Sequence, residues 1–305
     1  MENNVHTTMK DTRVVFFGTP ELSVPMLKAL AQATTVVACV TQTDKPKGRT
    51  QELTPSAVKV AAQQLGIPVL QPKTLKREKP AGEEFYNAFV ELHADVAVVV
   101  AYGKIIPAEY LNVPSHGFVN VHPSLLPVLR GPSPMQYAIL QGLNPSGVSI
   151  MVLDAGLDTG PILAQEEMEL APTETAETLH DRVQQVGSAL LIRTLEAYLN
   201  GTVKPQPQND AQATYSKLID KAEGQIDWTR SDAEIDRQIR AFSPWPGAFT
   251  FCNGKRVKVI LAHMEGPLLV LDQVQPEGKK PMSYADFLRG NPNCTLEKIR
   301  TEKQG

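Results

Sequence analysis

The stretch Val96-Ala97-Val98-Val99-Val100 limits the fold of this chain more than any other. Four valines in a run of five apolar residues favour a pleated strand over a helix, because their branched side chains are stiff at χ1. With no polar residue in alternate positions, the strand must be covered on both faces, as a central strand of a parallel sheet is. Shorter apolar runs lie around it at Val14–Phe17 (ended by Gly18), Val36–Val40, Pro68–Leu70, Phe118–Val121, Val148–Leu153 and Pro161–Leu170. Helical patterns separate them. One is capped by Ser23 and carries Leu27 and Leu30; others cover Ser56–Leu65 and Met135–Gly142. The longest runs from Thr175 to Leu199, with Leu179, Val183, Val186, Leu190 and Leu195 on one stripe. Strands alternating with helices of these lengths predict an α/β fold built on a Rossmann-like, doubly wound, mostly parallel sheet.

Gly201 to Asp210 is polar and proline-bearing, and the chain is expected to divide there. The expected organisation is a flexible N-terminus (1–12), a sheet domain (13–200), a linker (201–214) and a small C-terminal domain (215–305). In the last part, Ser231-x-x-Glu234 is a capping box for a helix carrying Ile235, Ile239 and Phe242. Asn253-Gly254, between Phe249–Phe251 and Arg256–Ala262, is a hairpin turn. Phe242, Trp245, Phe249 and Phe251 are expected to form this domain's core. Met1 to Lys10 is polar, nothing in it marks a signal peptide, and no apolar run is long enough to span a membrane. Cys39, Cys252 and Cys294 are scattered and odd in number, so neither a disulfide framework nor a metal site is expected, which fits a reducing cytoplasm.

The chemistry is predicted from one strand end. Asn120 and His122 are two apart on the Phe118–Val121 strand and so face one side, and Pro123 ends its pairing. Ligands of open parallel sheets bind at this C-terminal edge. A carboxamide and an imidazole there suggest an oxyanion donor and an acid–base group. The turn after the first strand reads Gly18-Thr19-Pro20-Glu21 and lacks the Gly-x-Gly-x-x-Gly that approach to a dinucleotide requires.

Asn120-Val121-His122-Pro123-Ser124-Leu125-Leu126-Pro127, followed by Leu157-Asp158-Thr159-Gly160, resembles the signature of the folate-dependent formyltransferases. Phe17–Glu21, Thr41–Arg49, Ala101–Lys104 and Trp245–Gly247 match as well, so the resemblance covers nearly the whole chain. It implies formyl transfer from 10-formyltetrahydrofolate, a co-substrate, to the amino group of initiator methionyl-tRNA; a monomer without metal or membrane association is expected. Asn120, His122 and Asp158 are the implied catalytic residues, with Asp158 orienting the histidine and relaying protons. Asp154 takes a structural role in the same loop. Ser124, Leu125, Leu126 and Pro127 are the implied folate-pocket residues, with a cis Leu126–Pro127 bond. Lys45 and Arg49, in a loop from Thr41 to Pro55, are implied tRNA contacts. The family closes its C-terminal domain as a small OB-type β-barrel, here expected to be reduced.

Net charge is −3, which argues against a general nucleic-acid binder, yet Arg237–Lys258 holds five basic residues and no acidic one. Arg237, Lys255 and Arg256 are therefore further candidates for tRNA contact. Alternatives are formylation of an amino sugar nucleotide, release of formate from the same folate, and a non-catalytic RNA-binding role.

Overall fold

A computed structural model of the chain describes residues 9–47 and 52–295. Its first elements are β1 (Arg13–Gly18), α1 (Val24–Ala33), β2 (Thr35–Val40), β3 (Lys45–Lys47), β4 (Glu52–Thr54), α2 (Ala57–Gln64) and β5 (Val69–Leu70). There follow α3 (Pro80–Val90), β6 (Val96–Val100), α4 (Ala108–Leu111), β7 (Phe118–His122), α5 (Pro134–Gln141), β8 (Ser146–Val152), β9 (Ile162–Met168) and α6 (Ala176–Leu199). The C-terminal elements are α7 (Asp232–Ala241), β10 (Phe249–Cys252), β11 (Lys255–Glu265), β12 (Leu268–Pro276), β13 (Met282–Ser283) and α8 (Tyr284–Gly290). Among the described residues no helix is long and apolar enough to cross a membrane.

A seven-stranded sheet runs in the order β5-β2-β1-β6-β7-β8-β9. The ladders from β5 through β7 are parallel, and β8 runs antiparallel to β7. Every residue of β6 and β7 is buried, as a strand covered on both faces must be. On one face, Phe17, Phe85, Phe89, Tyr102, Tyr110 and Phe118 form an aromatic core, with Phe17 edge-on to Phe89 and Tyr102. Aromatic pairs in this arrangement place a positive ring edge on a negative ring face. Buried Cys39 has its thiol pKa pushed up to about 12 by burial, so it is no nucleophile.

The chain forms two compact units. One contains Met1–Arg130, Gly147–Glu167 and Asp181–Thr214; the other contains Gly131–Ser146, Met168–His180 and Tyr215–Gly305. In the second, Ser231 and Glu234 make the reciprocal capping box at the start of α7. Ile235 and Ile239 pack with Ile226, Trp228, Val259 and Leu271. Strands β10-β11-β12-β13 form an antiparallel sheet. Asn253 (φ 50°) and Gly254 (φ 72°) take the left-handed conformation that a tight hairpin demands at both central positions. Among the described residues no ladder joins β13 back to β10.

Two expectations for this unit are corrected. Cys252 and Cys294 are joined in a disulfide, with Cα atoms 5.7 Å apart, a spacing that suits such a bond. They are 42 positions apart, and only the fold, which buries both beside Val257, Val274 and Phe287, brings them together. Of the four aromatics expected in the core, Phe242 and Phe249 are buried, but Trp245 and Phe251 are 50% and 47% exposed. Trp245 lies in the turns between α7 and β10, and Phe251 sits beside the hairpin tip on an edge strand.

Candidate active site

β7 is held between β6 and β8, with Asn120 opposite Val99 on one side and Met151 on the other. This double pairing fixes the strand that carries Asn120 and His122 to its end. Both residues are nearly buried, at 8% and 4% exposure. No hydrogen bond among the described residues engages the Asn120 carboxamide. Past the strand the chain turns sharply, and the Leu126–Pro127 peptide is cis.

The turn after His122 is locked from within. Ser149 lies opposite His122 in the β7–β8 ladder. Its hydroxyl donates to the Ser124 carbonyl (2.6 Å) and accepts from the Leu126 amide (3.0 Å) and from Gln165 Nε2 (2.8 Å). Gln165 also donates to the Leu126 carbonyl (2.9 Å), and Ser124 Oγ donates to the Val128 carbonyl (2.6 Å). Ser124 and Leu126 are therefore buried with these groups engaged, whereas Leu125 and Pro127 are half-buried. Ser149 and Gln165 escaped the sequence reading, because a lone serine or glutamine on a strand carries no motif.

His122 Nε2 lies 2.9 Å from the Leu129 carbonyl oxygen. A carbonyl can only accept, so Nε2 carries a hydrogen, and Nδ1 is left as the nitrogen that gains or loses a proton. Nδ1 faces Asp158 Oδ2 at 3.8 Å. That separation is beyond a direct hydrogen bond, but such pairs commonly tighten when a substrate binds or bridge through one water. Asp158 stands in the left-handed region (φ 52°), a conformation aspartate tolerates better than most residues at a cost of order 1–3 kcal/mol. Its loop folds back because Gly160 lies against the Val152 carbonyl, where any Cβ would collide. Asp154 accepts from the Gly156 amide (3.0 Å) and from Thr159 Oγ1 (2.7 Å), bracing the loop.

The other candidates lie elsewhere. Lys45 is exposed on β3, whose partner β4 makes a small hairpin out of the Thr41–Pro55 segment. Arg49 lies outside the described residues. Lys255 is exposed at the β10–β11 hairpin. Arg256 places its guanidinium carbon 3.6 Å from the centre of the Phe249 ring, a cation–π contact. Arg237 donates through Nε to the Leu140 carbonyl (3.1 Å), satisfying a backbone acceptor at the C-terminal end of α5.

A carboxamide donor, an imidazole with one working nitrogen and a carboxylate behind it make a set suited to acyl transfer between nucleophiles. The sequence profile of the formyl transferase domain matches residues 12–195, and that of the formyl transferase C-terminal domain matches residues 218–267. The methionyl-tRNA formyltransferase of Myxococcus xanthus is 44% identical over 306 residues, covering 93% of this chain and 96% of the relative. That of Cereibacter sphaeroides is 44% identical over 298 residues, covering 92% and 96%. The solved methionyl-tRNA formyltransferase from Clostridium thermocellum shares the fold, with a TM-score of 0.57 at 18% identity over 87% of this chain and 98% of that one. This chain belongs to the formyl transferase family, in the branch of the methionyl-tRNA formyltransferases.

Proposed function

We propose that this chain transfers the formyl group of 10-formyltetrahydrofolate to the free amino group of methionyl-tRNA, giving the N-formylated tRNA used to start translation. Members of the family use formyl-tetrahydrofolate. The observation that carries the mechanism is the approach of His122 Nδ1 to Asp158 Oδ2 at 3.8 Å, at the strand end that also bears Asn120.

Each residue has one task. The neutral amine forms a bond to the formyl carbon, and the carbonyl electron pair moves onto oxygen. Asn120 donates its amide N–H to that oxygen, and His122 adds its Nδ1–H. The charge is met by donors already in place, so little reorganisation accompanies the reaction. When the C=O bond re-forms, the bond to N10 breaks, and N10 takes a proton as the attacking nitrogen gives one up. Asp158, with a water between, is the group through which that proton passes. The Leu129 carbonyl keeps His122 Nε2 out of this exchange.

Ser124, Leu125, Leu126 and Pro127 form the wall along which the folate lies, the half-buried Leu125 and Pro127 being its more accessible members. Residues 13–200, with the 201–214 segment bonded to their loops, carry the transfer, and 215–305 help hold the tRNA. Lys45, Arg49, Lys255 and Arg256 supply its phosphate contacts; Arg237, whose Nε is taken by the Leu140 carbonyl, has only its remaining N–H groups to add. The enzyme works as a monomer in the cytoplasm, where charged tRNA is consumed.

The test is formyl transfer to charged initiator tRNA by the Asn120→Ala variant. Turnover should fall by about 100- to 1,000-fold, as for loss of one oxyanion donor, with little change in the KM for folate. Undiminished turnover, or equal activity of the parent on an amino sugar nucleotide, would refute the proposal.

A further inference from the structure

Resting on the role given to Asp158 above, we propose that Gln208 is a positioning residue for the formyl transfer. Held from behind by the buried Arg130, it sets the Asp158 loop at its working distance from His122.

Gln208 lies in the polar segment that composition marks as a linker, yet its side-chain amide is engaged at both ends. Its Oε1 accepts from Arg130 Nε (3.0 Å) and Nη2 (2.8 Å). Its Nε2 donates to the carbonyl oxygens of Asp158 (2.9 Å) and Gly160 (2.7 Å). Arginine can only donate and carbonyls can only accept, so the orientation of the amide is forced. Arg130 is 2% exposed and also pairs with Asp210 Oδ1 at 2.7 Å. Its charge is thus fixed in place, and moving Gln208 away would cost the buried Arg130 two hydrogen bonds.

The same segment grips the loop that orients the histidine. Thr214 Oγ1 accepts from the Leu129 amide (2.9 Å), and the Thr214 carbonyl accepts from the Arg130 amide (2.9 Å). Leu129 is in turn the residue whose carbonyl holds His122 Nε2. The two loops that present His122 and Asp158 are therefore anchored to one strip of chain, Gln208 to Thr214. Gln208 is the member that touches the Asp158 loop.

The test compares Gln208→Glu, Asp158→Asn and the double variant in the full chain. Glutamate keeps the length and still accepts from Arg130, but it cannot donate to the two carbonyls. Gln208→Met, which has neither donor nor charge, serves if the carboxylate prevents folding. The readouts are kcat, the KM values for 10-formyltetrahydrofolate and methionyl-tRNA, and Tm. The expected result is a fall in kcat of about 10- to 100-fold with both KM values nearly unchanged, as small misplacements of a catalytic group produce. In the Asp158→Asn background the same change should add little, since it acts through Asp158. An unchanged kcat, or a loss repeated in full in that background, would overturn the proposal. Wild-type turnover by Asp158→Asn alone would instead remove the role of Asp158 on which it rests, and the proposal with it.

Discussion

At Gly160 one missing Cβ decides where a carboxylate goes. A methyl group there would meet the Val152 carbonyl, which is backbone and cannot swing aside. Gly160→Ala must therefore push the loop off the Val152 carbonyl and disturb the Gln208 bonds to Asp158 and Gly160. The expected effect is overpacking of about 1–3 kcal/mol in stability, together with a lower kcat, because Asp158 moves with the loop. Thermal unfolding and steady-state kinetics on the same preparation check it. A variant with parental turnover would show that the loop has freedom the structure does not suggest. Asn120 and His122 were legible in the sequence, since strand alternation alone puts them on one side at a ligand-binding edge. Asp158 was marked only by the resemblance of its loop to the family's, since Asp-Ala-Gly-Leu-Asp-Thr-Gly by itself reads as a turn. Gln208, Arg130, Ser149 and Gln165 were not, because their meaning lies in partners far along the chain. The Gln208 bonds to Asp158 and Arg130 span 50 and 78 positions, and no local pattern encodes such pairs.

Among the elements, the strands were the most legible, because an apolar run ended by glycine or proline has few other structures open to it. Helix α3 was missed. It opens on Pro80 and carries Gly82, residues that obscure a helical pattern, although proline is well placed in a first helical turn. The β3–β4 hairpin was read only as a long polar loop, since three-residue strands carry no periodicity. Side chains hold its base. Asp44, next to β3, accepts from Lys59 Nζ (2.7 Å) on α2 and from Gln71 Nε2 (2.8 Å). Thr41 and Ser56 join their hydroxyls at 2.7 Å, and Gln42 Nε2 donates to the Tyr102 carbonyl (2.9 Å). The Lys59 hydrogen bond, and after it that from Gln71, holds the Asp44 carboxyl below its ordinary range. A carboxylate lowered on folding contributes stability that is present above its unfolded pKa and lost as pH falls through its folded one. The hairpin base should accordingly hold at neutral pH and loosen in acid below the usual carboxylate range. Asp44→Asn should loosen it at neutral pH. Hydrogen exchange of the β3 and β4 amides reads both effects, and equal protection in parent and variant would show that Asp44 does not anchor the hairpin.

For the whole molecule, the question is how a chain of net charge −3 holds a polyanion. The answer lies in where its cations are free to act. Of the five basic residues from Arg237 to Lys258, two are engaged within their own unit. Arg237 donates to the Leu140 carbonyl, and Arg240 donates to Asp236 (2.8 Å) and the Glu174 carbonyl (2.9 Å). Lys255 stands exposed beside the hairpin turn, and Arg256 follows it with one face on Phe249. Charge counted along the sequence could not separate these two groups, because each engaged arginine is held by a residue from another element. If the C-terminal unit contacts tRNA phosphates, Lys255 and Arg256 should carry the salt dependence and Arg240 should not. Lys255→Ala/Arg256→Ala is expected to weaken every tRNA alike and to reduce the slope of log affinity against log salt by about one to two units. Arg240→Ala should lower Tm, through loss of its ion pair with the nearly buried Asp236, and leave that slope intact. Tm measured alongside separates the two causes, since Arg256→Ala also removes packing from Phe249. Should the double substitution leave affinity and slope as they were while Arg240→Ala changes both, the exposed hairpin is a solvated surface and the tRNA lies against another face of the unit.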